Sequence, residues 1–131
     1  MGIEFVYDRA NDILLATARG LVTFAELESH INRESDARAL GYREIFDAIS
    51  ATTDLTADEA RTFVAHLRER MSRGPFGPTA VVTDSDVVYG MARMIQILSE
   101  LSSGPLIGVF RRQDDARRWL MNMRAEPPPA P

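Results

Sequence analysis

The sequence predicts an α/β domain: one mixed five-stranded sheet in the order 1-2-3-4-5, strand 1 antiparallel and strands 2–5 parallel, with four helices mainly on one face. Three observations predict it. Short strand-like runs alternate with segments of helical period after an opening pair of strands. Capping boxes open two of the helices just after such runs. Three strand–helix–strand units in succession then require parallel neighbours joined by right-handed crossovers.

Residues 3–8 (Ile-Glu-Phe-Val-Tyr-Asp) alternate as a strand does, 13–19 form a second strand, and Arg9-Ala10-Asn11-Asp12 between them reads as a hairpin turn. The pattern Thr23-Phe24-Ala25-Glu26 opens the first helix, with Phe24, Leu27 and Ile31 as its buried stripe. After an irregular stretch ending near Gly41, Arg43 to Ala48 reads as the third strand, followed by a Ser/Thr-rich connection. A second box, Thr56-Ala57-Asp58-Glu59, begins a long helix with Ala60, Phe63, Val64, Leu67 and Met71 on one side. The run Arg73-Gly74-Pro75-Phe76-Gly77-Pro78 ends it. Then come a strand at 79–83, a helix from Ser85 to Leu101, a turn at 102–105, a strand at 106–111 and a last helix from Asp114, whose first-turn acids suit the helix dipole.

At 131 residues the chain fits one domain, expected over 1–124, with the Pro-rich segment 125–131 as an extended, mobile tail. Hydrophobic residues at 45% and charged residues at 26% are a globular mix, and no apolar run is long enough to cross a bilayer. The opening Met1-Gly2-Ile3-Glu4-Phe5 reads as strand, so no export signal is expected; with no cysteine, this suits a bacterial cytoplasm. The net charge of −4 argues against a nucleic-acid partner, since no basic excess is available to neutralise phosphates. All 15 basic residues are arginine, which removes Schiff-base and phosphate-loop lysine chemistry.

Three stretches carry a family resemblance across nearly the whole chain: Ile45-Phe46-Asp47-Ala48 running into the Thr56-capped helix, Val87 to Met94 (Val-Val-Tyr-Gly-Met-Ala-Arg-Met), and Val109 to Leu120 (Val-Phe-Arg-Arg-Gln-Asp-Asp-Ala-Arg-Arg-Trp-Leu). In them the chain resembles the STAS superfamily of sulfate-transporter and anti-sigma-factor-antagonist domains, in its SpoIIAA-like, STAS/SEC14-like branch. The resemblance implies a binding role rather than catalysis. In the anti-sigma antagonists it further implies a phosphorylated serine at the start of the helix after the third strand, a position that here carries Ala57, beside the N-cap Thr56.

Ligands of open parallel sheets sit outside the carboxyl ends of the strands, an edge expected here to gather Asp47, Thr52, Thr53, Asp54, Asp84, Ser85 and Asp86. Their carboxylates suggest a Mg²⁺ site, but the same acids suit helix starts, and neither a metal nor any other cofactor is expected. His30 and His66 lie on different helices without metal-ligand or His–Glu spacing and read as surface or stripe-edge residues. Common nucleophile and nucleotide signatures are absent, so no enzyme is predicted.

The helix from Ser85 presents Val87, Met91, Met94, Ile95, Leu98 and Leu101 as the centre of an apolar face, which Val88 and Ile97 widen beyond a single core stripe. Gly90 beside it permits close backbone approach, and Tyr89 and Arg93, one turn apart, read as a recognition pair. The leading expectation is a regulatory, protein-interaction module that binds its partner through Thr52, Thr53, Asp54, Thr56, Ala57, Asp84, Ser85, Tyr89 and Arg93. The alternative is a binding protein for a small apolar molecule such as a lipid or fatty acid. In it Val88, Met91, Met94, Ile97 and Leu101 form the ligand or homodimer contact, over a cavity of roughly 300 Å³ or more.

Overall fold

The opening hairpin forms where its turn chemistry directs. Strands β1 (Gly2–Asp8) and β2 (Ile13–Val22) pair antiparallel, from Gly2 opposite Arg19 to Asp8 opposite Ile13. Asp8 holds the turn by accepting hydrogen bonds from Asn11 N at 3.3 Å and Asn11 Nδ2 at 2.9 Å. The side-chain bond from Asn11 is the main reason the Asp8 carboxyl titrates below its ordinary value. The computed structural model describes residues 2–39, 42–73, 76–104 and 106–123, the side chains of 34–39 excepted; the Pro-rich segment 125–131, Gly41, Gly74-Pro75 and Pro105 lie outside the described residues.

After the hairpin the chain alternates helix and strand: α1 (Phe24–Ala39), β3 (Arg43–Thr53), α2 (Ala57–Met71), β4 (Thr79–Val82), α3 (Asp86–Leu101), β5 (Ile107–Phe110) and α4 (Gln113–Asn122). The sheet has the predicted order β1-β2-β3-β4-β5, with only the first pair antiparallel. Each of the three crossovers moves one strand in the same direction, so crossovers of one hand put α1, α2 and α3 on one face. Helix α4 follows the last strand and covers the other face, against β3, β4 and β5.

The two faces have separate cores. Phe46, Ala48 and Ala51 of β3 meet Ile3, Ala18, Val22, Leu27 and Val88 on the three-helix side. Ile45 faces the opposite way, with Ile13, Ala80 and Val82 against Ala116, Trp119 and Leu120 of α4. Buried on both sides, β3 reads apolar at 45–46 instead of alternating. At its start Arg43 is buried, its Nη1 donating to Leu120 O at 2.9 Å while Nη2 donates to Asn11 O. Gly77 passes so close to Tyr42 that a Cβ there would lie 2.1 Å from its carbonyl oxygen, so no larger residue fits without moving backbone.

Strand β3 is longer than predicted, and the expected Ser/Thr-rich connection at 49–53 belongs to it. Those residues continue the parallel pairing, from Arg19 opposite Ser50 to Val22 opposite Thr53. The reason is that threonine and β-branched side chains suit a half-buried strand as well as a loop. Between Asp47 and Ser50, β3 takes three steps where β2 takes two, a bulge that bends the pair. Pairing with β4 stops at Asp47 opposite Val82 and the described pairing of β1 ends at Arg19, so beyond Arg19 and Ser50 β2 and β3 form a two-stranded arm.

Thr56 caps α2 with a complete box: its Oγ1 accepts from Glu59 N at 3.1 Å, and Glu59 Oε1 accepts from Thr56 N at 3.0 Å. At Thr23 the box is altered; its Oγ1 accepts from Glu26 N at 3.2 Å, but the Glu26 carboxylate receives the Thr23 hydroxyl at 3.3 Å. Replacing Thr56 with alanine orphans the Glu59 N–H and is expected to cost about 1 kcal/mol, within the usual 0.5–2 range for caps. Urea denaturation against wild type checks it, and a loss below about 0.3 kcal/mol would show that water replaces the cap.

Candidate functional site

Two features of the three-helix side have functional geometry. One is the carboxyl edge of the sheet. There Thr53 Oγ1 donates to Val22 O at 2.8 Å and accepts from Leu55 N at 3.2 Å. Thr83 Oγ1 donates to Ala48 O at 3.3 Å and accepts from Ser85 N at 3.1 Å, while Ser85 Oγ accepts from Val88 N at 3.3 Å as the α3 cap. With Thr56, four hydroxyls along this edge are thus engaged with backbone groups. Thr52, Asp54 and Asp84 are exposed, and Ala57 is half-buried in the first turn of α2.

Arg111, just past β5, ties this edge together. Its guanidinium donates to Asp84 O at 3.1 Å, pairs with Asp86 Oδ1 at 2.9 Å, and lies over the Tyr89 ring at 4.1 Å from the centroid. Arg93 instead donates to the Gln96 side chain. The expected Tyr89–Arg93 pair is therefore corrected: each side chain has another neighbour, and the cation facing Tyr89 comes from the end of the next strand. Among the described residues no three His, Cys, Asp or Glu side chains converge as a metal site, and no helix is long and apolar enough to cross a membrane.

The other feature is a partly open cavity of about 110 Å³ between the sheet and α1, α2 and α3. Its cause is the seating of α2, which packs mainly on α1 and α3 and reaches over the sheet with the side chains of Phe63 and Leu67. Below them the floor includes the small Ala48 and Ala51 beside Phe46 and Val81. The volume is well under the roughly 300 Å³ expected for an apolar carrier, because Phe63, Leu67 and Phe76 fill the space that a long chain would need. Thr52, Thr53, Leu55 and Val88 line it too, so its wall reaches the carboxyl edge.

The phase of α3 also differs from the expected one. Val88 is 9%, Ala92 7% and Ser99 1% exposed, whereas Val87 is 61%, Ile97 47% and Leu101 81% exposed. The buried line is displaced by one residue, about 100°, from the apolar centre read in the sequence. Small residues decide it: Ala92 and Ser99 let α3 approach the sheet closely, and hydropathy alone gives them little weight. The proposed contact set is accordingly split, with Val88 and Met91 lining the cavity, Met94 half-buried, and Ile97 and Leu101 outside. At Gly90, read as a point of close approach, an added Cβ would meet nothing within 4 Å.

Sequence reasoning missed the polar group in the cavity. His30 and Glu44 are each 3% exposed, with Nε2 and Oε2 2.7 Å apart. The His30 ring is edge-on to Phe5 and Phe46, with centroids 5.8 and 5.6 Å away, and Thr79 Oγ1 lies 3.4 Å from Glu44 Oε1. The reading of His30 as a surface or stripe-edge residue is thus overturned, its partner Glu44 lying on another element; His66 is exposed, beside Glu28. A signal was present: Glu44, Phe46 and Ala48 share one face of β3, so Glu44 points inward with its apolar neighbours.

No family model matches the chain, and no curated protein does. Among solved structures it is similar to an uncharacterised protein of the DUF3478 family with a SpoIIAA-like fold from Shewanella loihica PV-4. The two share 19% identity at a TM-score of 0.57, over 91% of this chain and 93% of that one. This chain has a SpoIIAA-like fold.

Proposed function

We propose that the chain is a non-enzymatic regulatory module that engages a protein partner along the carboxyl edge of its sheet, through Thr52, Asp54, Thr56, Ala57, Asp84 and Tyr89, with Arg93 on the flank. The observation that carries this reading is the division of labour there. Thr53, Thr56, Thr83 and Ser85 direct their hydroxyls to backbone groups, as caps and strand ties rather than as activated nucleophiles. Thr52, Asp54 and Asp84 are exposed, and Arg111, which donates to Asp84 O, lies over the Tyr89 ring; acidic and aromatic groups on this edge suit recognition. The SpoIIAA-like fold adds support by analogy only, since one fold serves many functions. Pull-downs from the native cell with wild type and with an Asp54→Arg, Tyr89→Ala chain test it. A partner enriched with wild type and lost with the variant is expected; identical protein lists from equally folded chains would count against this surface.

A second reading, favoured by the cavity, is that the module holds a small apolar molecule between the helices and the sheet. The wall shared by the cavity and the carboxyl edge, at Thr52, Thr53 and Val88, would let such a molecule influence partner binding. At about 110 Å³ the cavity suits a compact group rather than a whole fatty acid.

A further inference from the structure

The hairpin exposes one face of its two strands. Ile3 and Phe5 join Ala16 and Ala18 in the core beneath the three helices. Strand alternation therefore turns Gly2, Glu4 and Val6, with Leu15, Thr17 and Arg19 beside them, to the side occupied by α4. That helix packs on β3, β4 and β5, and Leu15 lies half-buried at the margin of its core. Val6 is 62% exposed, and Glu4 and Arg19 are exposed as well.

A hairpin face left to water normally carries polar residues. This one sets Val6 directly opposite Leu15, with an acid and a base, Glu4 and Arg19, along the strands beyond them. Among the described residues neither charge has an ion-pair partner. An apolar pair beside unpaired charges of both signs suits a twofold contact, in which a patch must complement its own copy. We propose that this face binds the same face of a second copy of the chain, giving a dimer packed sheet against sheet. The axis runs along the strands between β1 and β2, which lays β1 of each copy over β2 of the other. Val6 then meets Leu15 of the second copy, and Glu4 comes within reach of its Arg19, for which the side-chain-free Gly2 leaves room. An axis across the strands would instead set α4 against α4, where the gap of about 10 Å between packed sheets is already filled by one helix.

This contact is separate from the carboxyl edge and leaves it free. Because the strands of both copies run the same way about such an axis, both carboxyl edges point to one end of the dimer. A partner with two matching sites would engage them together.

Sedimentation equilibrium of the full chain tests the contact. Two strands make a small interface, so dissociation in the micromolar range is expected. Val6→Lys, at an exposed position, should weaken dimerisation by about tenfold, equivalent to about 1.4 kcal/mol. Glu4→Arg and Arg19→Glu should each weaken it comparably, whereas the two together should restore it, because the exchanged charges match again. Leu101→Lys, on the exposed side of α3, should change nothing. Loss of the dimer with Leu101→Lys alone would overturn the proposal in favour of the α3 face. A dimer indifferent to the charge reversals, or a chain monomeric throughout the micromolar range, would overturn it as well. Should Val6→Lys not fold, the charge exchange decides alone.

Discussion

Replacing Glu44 with leucine is expected to destabilise the protein by about 2–3 kcal/mol, the upper end of the usual cost of removing one partner from a buried hydrogen bond. The reason is local. With His30 and Glu44 each 3% exposed and Phe5 and Phe46 against the ring, water cannot solvate the imidazole left behind. His30→Leu should be costly for the converse reason. The double replacement His30→Leu, Glu44→Leu should recover most of the loss, because an apolar pair of similar volume is often as stable as the polar one it replaces. Guanidinium denaturation of the four chains at a common m-value gives the coupling directly. A single substitution costing less than about 1 kcal/mol would mean that water reaches the pair. A double variant as stable as wild type would mean that the pair is not retained for stability.

Leu120→Ala is expected to cost about 2–5 kcal/mol, as for other fully buried leucines. Leu120 is 0% exposed and, with Ala116 and Trp119, forms the face by which the ten-residue α4 covers its side of the sheet. A helix that short has little stability of its own, so its persistence depends on this packing. The single tryptophan reports the outcome, since the Trp119 ring lies 5.5 Å from that of Phe110 between helix and sheet. Its emission should shift to the red as the helix loosens, together with the lower denaturation midpoint. Unchanged emission and a loss under about 1 kcal/mol would show that α4 is held mainly by other contacts, such as the Arg43 bond to Leu120 O.

Much of the fold was legible because it depends on local chemistry. The Arg9–Asp12 turn, the helix starts at Thr23 and Thr56 and the alternation of strands with helices led to the sheet order without knowledge of any distant contact. The extension of β3 to Thr53 was not legible, since Ser50, Thr52 and Thr53 suit strand and loop equally and only pairing with β2 distinguishes them. Nor was the phase of α3, where apolar residues nearly surround the helix and the small Ala92 and Ser99 select the buried side. At the candidate sites the reading found the caps and the exposed acids. It paired Tyr89 with the wrong arginine, because Arg111 is brought to it by the neighbouring strand. His30 and Glu44 lie 14 residues apart on different elements, and only the packing of α1 on the sheet brings them together.

The Arg43 clasp also bears on the order of folding. Its guanidinium joins the hairpin turn at Asn11 O to the last helix at Leu120 O, contacts 32 and 77 residues from it along the chain. Closing loops of that length costs entropy before any bond repays it, whereas the hairpin and the capped helices form from near neighbours. The clasp is therefore expected to close after the rate-limiting barrier, where it acts as a brake on unfolding and does little to hasten assembly.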